Sequence, residues 1–334
     1  MDTISFGLVF LELVFGRLDR LPGPGEEVFS DEFALSCGGA VTSATAAADG
    51  GVRAGLCTML GDDFGTQVVS EHCAATGVNL SPCVQLDGPT AGITVVMNFD
   101  GDRGFVTHLP PFAMSERAEL ERWRNVLRRE RPAWCYLHAG RFVPDFLRDA
   151  RELGCKIMLD TALGDARNPR DRDFVIECVG LADVFVPNAA ELIAMTGSAD
   201  LAGAVRAAVA WGTDLVVTRG ADGALVVSRD GSVAEVSDGV RQVPVRDLTG
   251  AGDSFAGAMM AALIGGASIA EAAVAGNEAG SRAVSRLGAV GTVSADGTGA
   301  GWPLSPMAFR EMVRGLQVSA VDQPGALGRE GTMR

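Results

Sequence analysis

From about residue 130 onward, short apolar runs alternate with helix-length amphipathic segments. The runs are 133-AWCYLHA-139, 155-CKIMLD-160, 183-DVFVPN-188 and 214-DLVVTRG-220. A continuously apolar run is a strand buried on both faces, and strand–helix–strand order makes the sheet parallel with helices on either side. In such sheets ligands sit beyond the carboxyl ends of the strands, so Thr161, Asn188 and Gly220, at or just past the ends of three of the runs, mark where chemistry is to be sought.

Two segments break the alternation. Residues 8–35 contain the turn 22-PGPGE-26, and 91-AGITVVMNF-99 with 104-GFVTHL-109 reads as a β-hairpin around the Asp-Gly turn of 100-DGDR-103. Neither has a helical segment beside it. They are expected to pair into a small second sheet projecting from the body as a lid; the plainer alternative is hairpins decorating the surface. Ala-rich stretches 251–265 and 268–286 read as helices, 304–317 as a further short one, and 318–334 as a frayed Gly-rich tail. This gives one domain over 1–317, with lid segments at about 8–35 and 88–112.

With 334 residues, 47% of them hydrophobic, the chain builds a core without staples. Its seven cysteines are scattered and never form C-x-x-C, which points away from disulfides and zinc and toward a reducing, cytoplasmic setting. The apolar start 4-ISFGLVFLELVF-15 has no basic flank or cleavage site, carries Glu12 and is too short for a bilayer span, so it reads as a buried first strand. A formal charge of −14 argues against a nucleic-acid partner, and no membrane partner is expected.

The stretch that carries chemistry is 247-DLTGAGDSFAGAMMAAL-263. Gly250 and Gly252 let the backbone bend so that the N–H groups of Gly250, Ala251 and Gly252 face one concavity, to which the following helix adds its positive end. Asp253 at the rim is placed to take a proton from a hydroxyl lying against an anion in that concavity. Taken alone, the same string also fits an Asp that only caps a helix.

The longer string DLTGAGDSFAGA resembles the C-terminal signature of the ribokinase-like (PfkB) carbohydrate kinases, and the resemblance extends over roughly residues 4–292. It implies a ribokinase-like three-layer α/β/α body, a mostly parallel central sheet, a small β-sheet lid, and ATP with Mg2+ as cofactors. In 36-SCGGAVTSATAAA-48, Gly38 and Gly39 match the segment where a sugar approaches the backbone. The turn 61-GDDFG-65 matches an architectural element, with Asp62 or Asp63 capping the next helix. In 188-NAAE-191, Asn188 and Glu191 share a helix face and would hold Mg2+ through water, although Asn at N-cap with Glu three residues on is also a capping box. Thr218, Arg219, Gly220, Asp222 and Gly223 fall beside the nucleotide and Asn277 near its adenine, with a hairpin turn and a helix-surface Asn as the plain readings. The resemblance further implies a K+ loop from Asp247, Thr249, Ala283, Arg286, Gly288 and Thr292. In some members lid strands pair across a homodimer, which the apolar run 91–99 would suit, but such edges are also covered within one chain.

The sugar side departs from the family pattern. The acid expected to bind sugar hydroxyls is Glu12 instead of Asp, and the Asn expected four residues after Gly39 is Ser43, changing reach and donor count. Thr161 after Asp160 is also unusual. Arg103 and Arg141 are candidates for bidentate recognition of an acidic or phosphorylated substrate. The expected activity is ATP-dependent phosphorylation of a primary hydroxyl on a sugar or sugar derivative, with Asp253 as base. One alternative is a nucleoside kinase of the same fold, with Phe10, Phe15, Phe99 or Phe105 as stacking surface. The other is a non-catalytic metabolite sensor or scaffold. A dinucleotide oxidoreductase is set aside because no G-x-G-x-x-G follows the first strand.

Overall fold

The computed structural model describes residues 1–99, 102–109, 116–140, 143–161 and 169–291. Arg141, Thr292, the helix expected over 304–317 and the tail 318–334 lie outside the described residues. Fourteen strands are described: β1 (Thr3–Phe6), β2 (Val9–Gly16), β3 (Glu32–Gly39), β4 (Ala54–Cys57), β5 (Met59–Leu60), β6 (Val84–Gln85), β7 (Gly92–Phe99), β8 (Asp102–His108), β9 (Trp134–His138), β10 (Lys156–Asp160), β11 (Val184–Phe185), β12 (Asp214–Thr218), β13 (Ala224–Val227) and β14 (Val233–Val236). The described helices are α1 (Ala40–Asp49), α2 (Phe64–Thr76), α3 (Glu116–Glu130), α4 (Val143–Glu152), α5 (Pro169–Val179), α6 (Ala189–Thr196), α7 (Leu201–Ala208), α8 (Ala251–Ile264) and α9 (Ile269–Ala283).

The central sheet has eight strands in the order β14-β13-β12-β11-β10-β9-β1-β4. Strands β4, β1, β9, β10, β11 and β12 pair in parallel, and β13 and β14 continue the edge antiparallel. Side chains alternate between the two faces of a strand, and β9 shows the consequence. Cys135 and Leu137 join the core shared with α3 through α7, whereas Trp134 and Tyr136 join the opposite core with Phe255, Met259 and Met260 of α8. The same period carries His138 to the α8 side. The body is therefore three layers, as the sequence pattern predicts.

The second, smaller sheet has the order β3-β2-β7-β8 and is built from the segments expected to pair. Its β7–β8 hairpin pairs Ile93 with His108 through Phe99 with Asp102, and β2 pairs antiparallel with β3, setting Phe10 against Gly38 and Glu12 against Ser36. Gly39 sits at φ 80°, and a Cβ there would lie 2.3 Å from the Leu8 carbonyl oxygen, so only glycine turns the chain from β3 into α1. Helix α8 crosses α1 closely, since a Cβ on Gly257 would lie 2.3 Å from the Ser43 carbonyl oxygen. Asp63 caps α2 by accepting from Thr66 N–H at 2.9 Å, as the GDDFG turn predicts. All seven cysteines are free thiols. Among the described residues, no single helix is long and apolar enough to cross a membrane.

Candidate active site

Helix α8 begins at Gly250, an N-cap in the left-handed region at φ 72°. A Cβ there would lie 2.7 Å from the Ala289 Cβ, so the tight turn requires glycine. The first turn of a helix leaves its N–H groups without intrahelical acceptors. Among the described residues, Gly250 and Gly252 donate to nothing, and Ala251 makes only a 3.4 Å contact with the Leu248 carbonyl oxygen. Space beside Gly252 is open, with no atom within 4 Å of a Cβ built there. These N–H groups are left as donors toward which negative charge is attracted.

Asp253 follows in the first turn, its side chain 21% exposed. Its Oδ1 accepts from the Tyr136 hydroxyl at 2.9 Å and faces His138 Nε2 at 3.3 Å. The Tyr136 hydroxyl also lies 3.0 Å from Asp160 Oδ2. Among the described residues Oδ2 of Asp253 has no hydrogen-bond partner, which leaves one carboxylate oxygen for a substrate. His138, Asp160 and Asp253 offer ligand atoms within 4.8 Å of one another, close enough to share a cation.

The electrostatics of this cluster follow from burial and mutual charge. Loss of hydration on its protein-facing side opposes a charged imidazole at His138, whose side chain is 47% exposed, but the hydrogen bond to Asp253 and the charges of Asp160, Asp253 and Glu191 outweigh it and hold His138 above the usual imidazole value. Burial likewise pushes Asp160 above the usual carboxylate range. Glu191 is pushed up by burial and by the charge of Asp160, against the hydrogen bonds from Asn188. Its carboxylate accepts from Asn188 N–H at 2.8 Å while Asn188 Oδ1 accepts from Glu191 N–H at 2.9 Å, so the capping box is formed.

Glu12 is buried, and its Oε2 accepts from the Ala289 N–H at 3.1 Å. Its Oε1 occupies the space a Cβ on Gly38 would need, only 2.0 Å away. Gly38 therefore admits the longer acid that replaces Asp here. Burial raises Glu12 to about 7, helped by Asp247 and Asp253 and opposed by the Ala289 N–H and Arg103. Arg103 of β8 lies over the Phe105 ring at 5.4 Å, and its buried Nε has no hydrogen-bond partner among the described residues. Ser43 is placed differently from the sugar-facing expectation: it is fully buried, and its hydroxyl lies 3.0 Å from Ser5 Oγ and 3.1 Å from the Ala40 carbonyl oxygen, donating to one of them at a time.

Of the residues expected beside a nucleotide, Thr218 ends β12 and Gly220–Asp222 form a single 3-10 turn before β13, with Gly223 at φ 76°. Arg219 Nη2 donates to the Asp222 carbonyl oxygen at 2.9 Å and so braces that turn. Asn277 is buried instead of lying on a helix surface, and its Nδ2 donates to the carbonyl oxygens of Val236 and Asp238 at 3.0 and 2.9 Å, tying α9 to the end of β14. Asp247 accepts from Thr249 N–H and Oγ1 and, through its other oxygen, from Gly288 N–H at 2.8 Å. That carboxylate clamps 247–249 to the loop after α9 and holds Ala289 beneath Gly250. Ala283 ends α9, and Arg286 and Gly288 lie along this loop. Tyr136 and His138 escaped the sequence reading, although a histidine at a strand's carboxyl end, one of only three in the chain, was the available signal.

The pfkB family carbohydrate kinase model matches residues 5–296. The chain belongs to this family. As a member it is a kinase, a phosphotransferase with an alcohol acceptor. Among curated relatives of this pfkB-family kinase, a cytidine kinase from Thermococcus kodakarensis is 28% identical over 78% of this chain and 88% of the relative. A Mus musculus ribokinase is 28% identical over 72% and 75%. Two solved structures share the fold. An E. coli protein described as a Ribokinase II, solved with ATP and Mg2+, has a TM-score of 0.73 at 20% identity and covers 94% of this chain and 99% of that one. Arabidopsis thaliana ribokinase, solved with ribose and ATP, has a TM-score of 0.68 at 21% identity, covering 86% and 94%.

Proposed function

We propose that this pfkB-family kinase transfers the γ-phosphoryl group of ATP to a primary hydroxyl of a sugar or sugar derivative. The observation that carries this reading is the pairing of Asp253, with Oδ2 unpartnered, and the open amide cradle of Gly250, Ala251 and Gly252 within one helix turn. Phosphoryl transfer asks mainly for positioning and charge stabilisation. Asp253 Oδ2 takes the proton of the acceptor hydroxyl as that oxygen attacks phosphorus. The cradle amides donate to the phosphoryl oxygens as charge redistributes toward the leaving ADP. Glu12, Gly38, Gly39 and Arg103 line the acceptor side, and the lid shields the reaction from water.

The unfilled amides suit a phosphate, and Asn188 with Glu191 would hold Mg2+ through water; the ion supplies neutralisation of phosphate charge. Thr218 to Gly223 and Asn277 shape the nucleotide side. Asp247, Thr249, Ala283, Arg286, Gly288 and Thr292 would supply the oxygens for K+. Exposed Phe29, Phe33, Ile93, Phe105 and Val106, on or beside the lid strands, suit pairing with a second copy.

A second reading, a nucleoside acceptor, is favoured by Phe105, 50% exposed on β8 beneath the Arg103 guanidinium, and by the likeness to cytidine kinase. A screen of ribose, fructose, cytidine and adenosine with Mg2+ and ATP separates the two readings, and absence of acceptor-dependent ATP consumption would favour a sensor or scaffold instead. The base is tested by Asp253→Asn, which should keep the fold and ligand affinity but lose about 10²–10⁴-fold in turnover. Near-normal turnover would remove Asp253 from the role.

A further inference from the structure

Asp253 has a supporting side chain that the signature motif does not contain. His138 closes β9 on the face that also carries Trp134 and Tyr136, and its backbone is pinned in register with Asp160 of the neighbouring strand. The Ala139 N–H donates to the Asp160 carbonyl oxygen at 2.8 Å, fixing the chain just beyond the ring. The imidazole stands edge-on to Tyr136, centroids 5.9 Å apart at 88°. From that position Nε2 reaches Asp253 Oδ1 at 3.3 Å.

Counting donors shows why this contact matters. Tyr136 has one hydroxyl hydrogen, yet its oxygen lies 3.0 Å from Asp160 and 2.9 Å from Asp253. One O–H serves only one of these acceptors at a time. Whenever it turns to Asp160, Asp253 keeps His138 as its only side-chain donor among the described residues; Nε2 lies 3.3 Å from both the Tyr136 oxygen and Asp253 Oδ1, and of these two acceptors the charged carboxylate is the stronger. Without that donor the carboxylate is free to rotate about its χ torsions and exchange Oδ1 for Oδ2. A base misplaced by about 1 Å costs roughly 10²-fold in rate.

We propose that His138 is a positioning residue for phosphoryl transfer: donating from Nε2 to Oδ1, it fixes the Asp253 carboxylate so that Oδ2 is the oxygen left for the acceptor hydroxyl. This rests on the reading of Asp253 as the base. The role is confined to orientation, and His138 takes no proton from the substrate.

The test is steady-state turnover of Mg·ATP by the whole chain, with the best acceptor from the screen above, or with water as acceptor if none is phosphorylated. His138→Phe, which keeps a ring but removes the donor, should lower kcat about 10–100-fold while changing KM for ATP and acceptor less than about 3-fold. His138→Gln, whose amide nitrogen can replace Nε2, should restore kcat to within about 5-fold. The double variant with Asp253→Asn should be no slower than Asp253→Asn alone, because two residues acting as one unit are not additive. Should His138→Phe not fold, the ¹⁵N resonance of His138 Nε2 in the wild-type chain and in Asp253→Asn provides the second measurement, and a resonance unmoved by Asp253→Asn overturns the contact. A rise in KM with kcat unchanged makes His138 a substrate ligand and overturns the inference. Equal losses in the Phe and Gln variants overturn it too. If Asp253→Asn itself turns over normally, the failure lies in the base assignment.

Discussion

Glu12 offers a quantitative test of the acceptor side, and the expected sign is counterintuitive. The carboxyl is buried on β2, raised from the usual 4.5 to about 7, with the Ala289 N–H as its hydrogen-bond donor. At 1.36 kcal/mol for each tenfold change in proton affinity, that rise corresponds to about 3 kcal/mol. The folded state binds the proton more tightly than the unfolded state, so between pH 4.5 and 7 stability falls as pH rises, and above 7 the full cost is present. Glu12→Gln keeps an oxygen for the Ala289 N–H and removes the charge. It should therefore stabilise the fold by about 1–3 kcal/mol at pH 8, with the gain shrinking as pH falls to 5. Denaturant unfolding of both proteins across pH 5–8.5 measures the difference directly. A variant less stable than wild type at pH 8 would refute the reasoning, because the charged hydrogen bond to Ala289 would then outweigh the cost of burying the carboxylate. The same variant should bind its acceptor more weakly, the expected result when a site acid is retained at the expense of stability.

Two further outcomes bear on the anion cradle and the metal. Gly250→Ala forces a side chain onto a residue at φ 72° with its Cβ 2.7 Å from that of Ala289, and should cost roughly 2–4 kcal/mol by thermal melting together with most of the turnover. An Ala variant that melts and turns over like wild type would remove the steric requirement at the head of α8. Glu191→Gln preserves the capping box, since Gln at N3 also reaches back to the N-cap N–H, so its melting temperature should be nearly unchanged while the Mg2+ concentration for half-maximal turnover rises. An unchanged metal titration would leave Glu191 with the cap alone.

The body and the smaller sheet were legible because their signals are periodic and local. Continuous apolar runs marked β9 to β12, and alternating runs around an Asp-Gly turn marked β7 and β8. The head of α8 was legible because a left-handed turn demands glycine wherever it occurs. Contacts between distant segments were not. Glu12 could be recognised as a displaced acid, but its partner Ala289 lies 277 residues away. Period two alone puts Tyr136 and His138 on one face of β9. That this face meets α8 depends on the order in which the strands enter the sheet, which no local pattern records. Ser43 shows the converse: its position in the motif suggested a substrate ligand, yet a short side chain on a helix packed against β1 finds Ser5 first.

The acids around Asp253 come from separate elements: Glu12 from β2, Asp160 from β10, Glu191 from α6 and Asp253 itself from α8. A chain selected only for stability would separate them, since each raises the proton affinity of a neighbour and burial compounds the effect. Arg103, His138 and the backbone amides only partly offset this charge. Under the proposed function the arrangement would become favourable once a divalent cation and a hydroxyl-bearing acceptor engaged the carboxylates and phosphate oxygens engaged the amides, because each ligand group would then satisfy protein groups that otherwise repel one another. Carboxylates gathered from four elements beside an unfilled cradle therefore fit phosphoryl transfer better than they fit a structural network, which would have paired each acid with a cation of the chain's own.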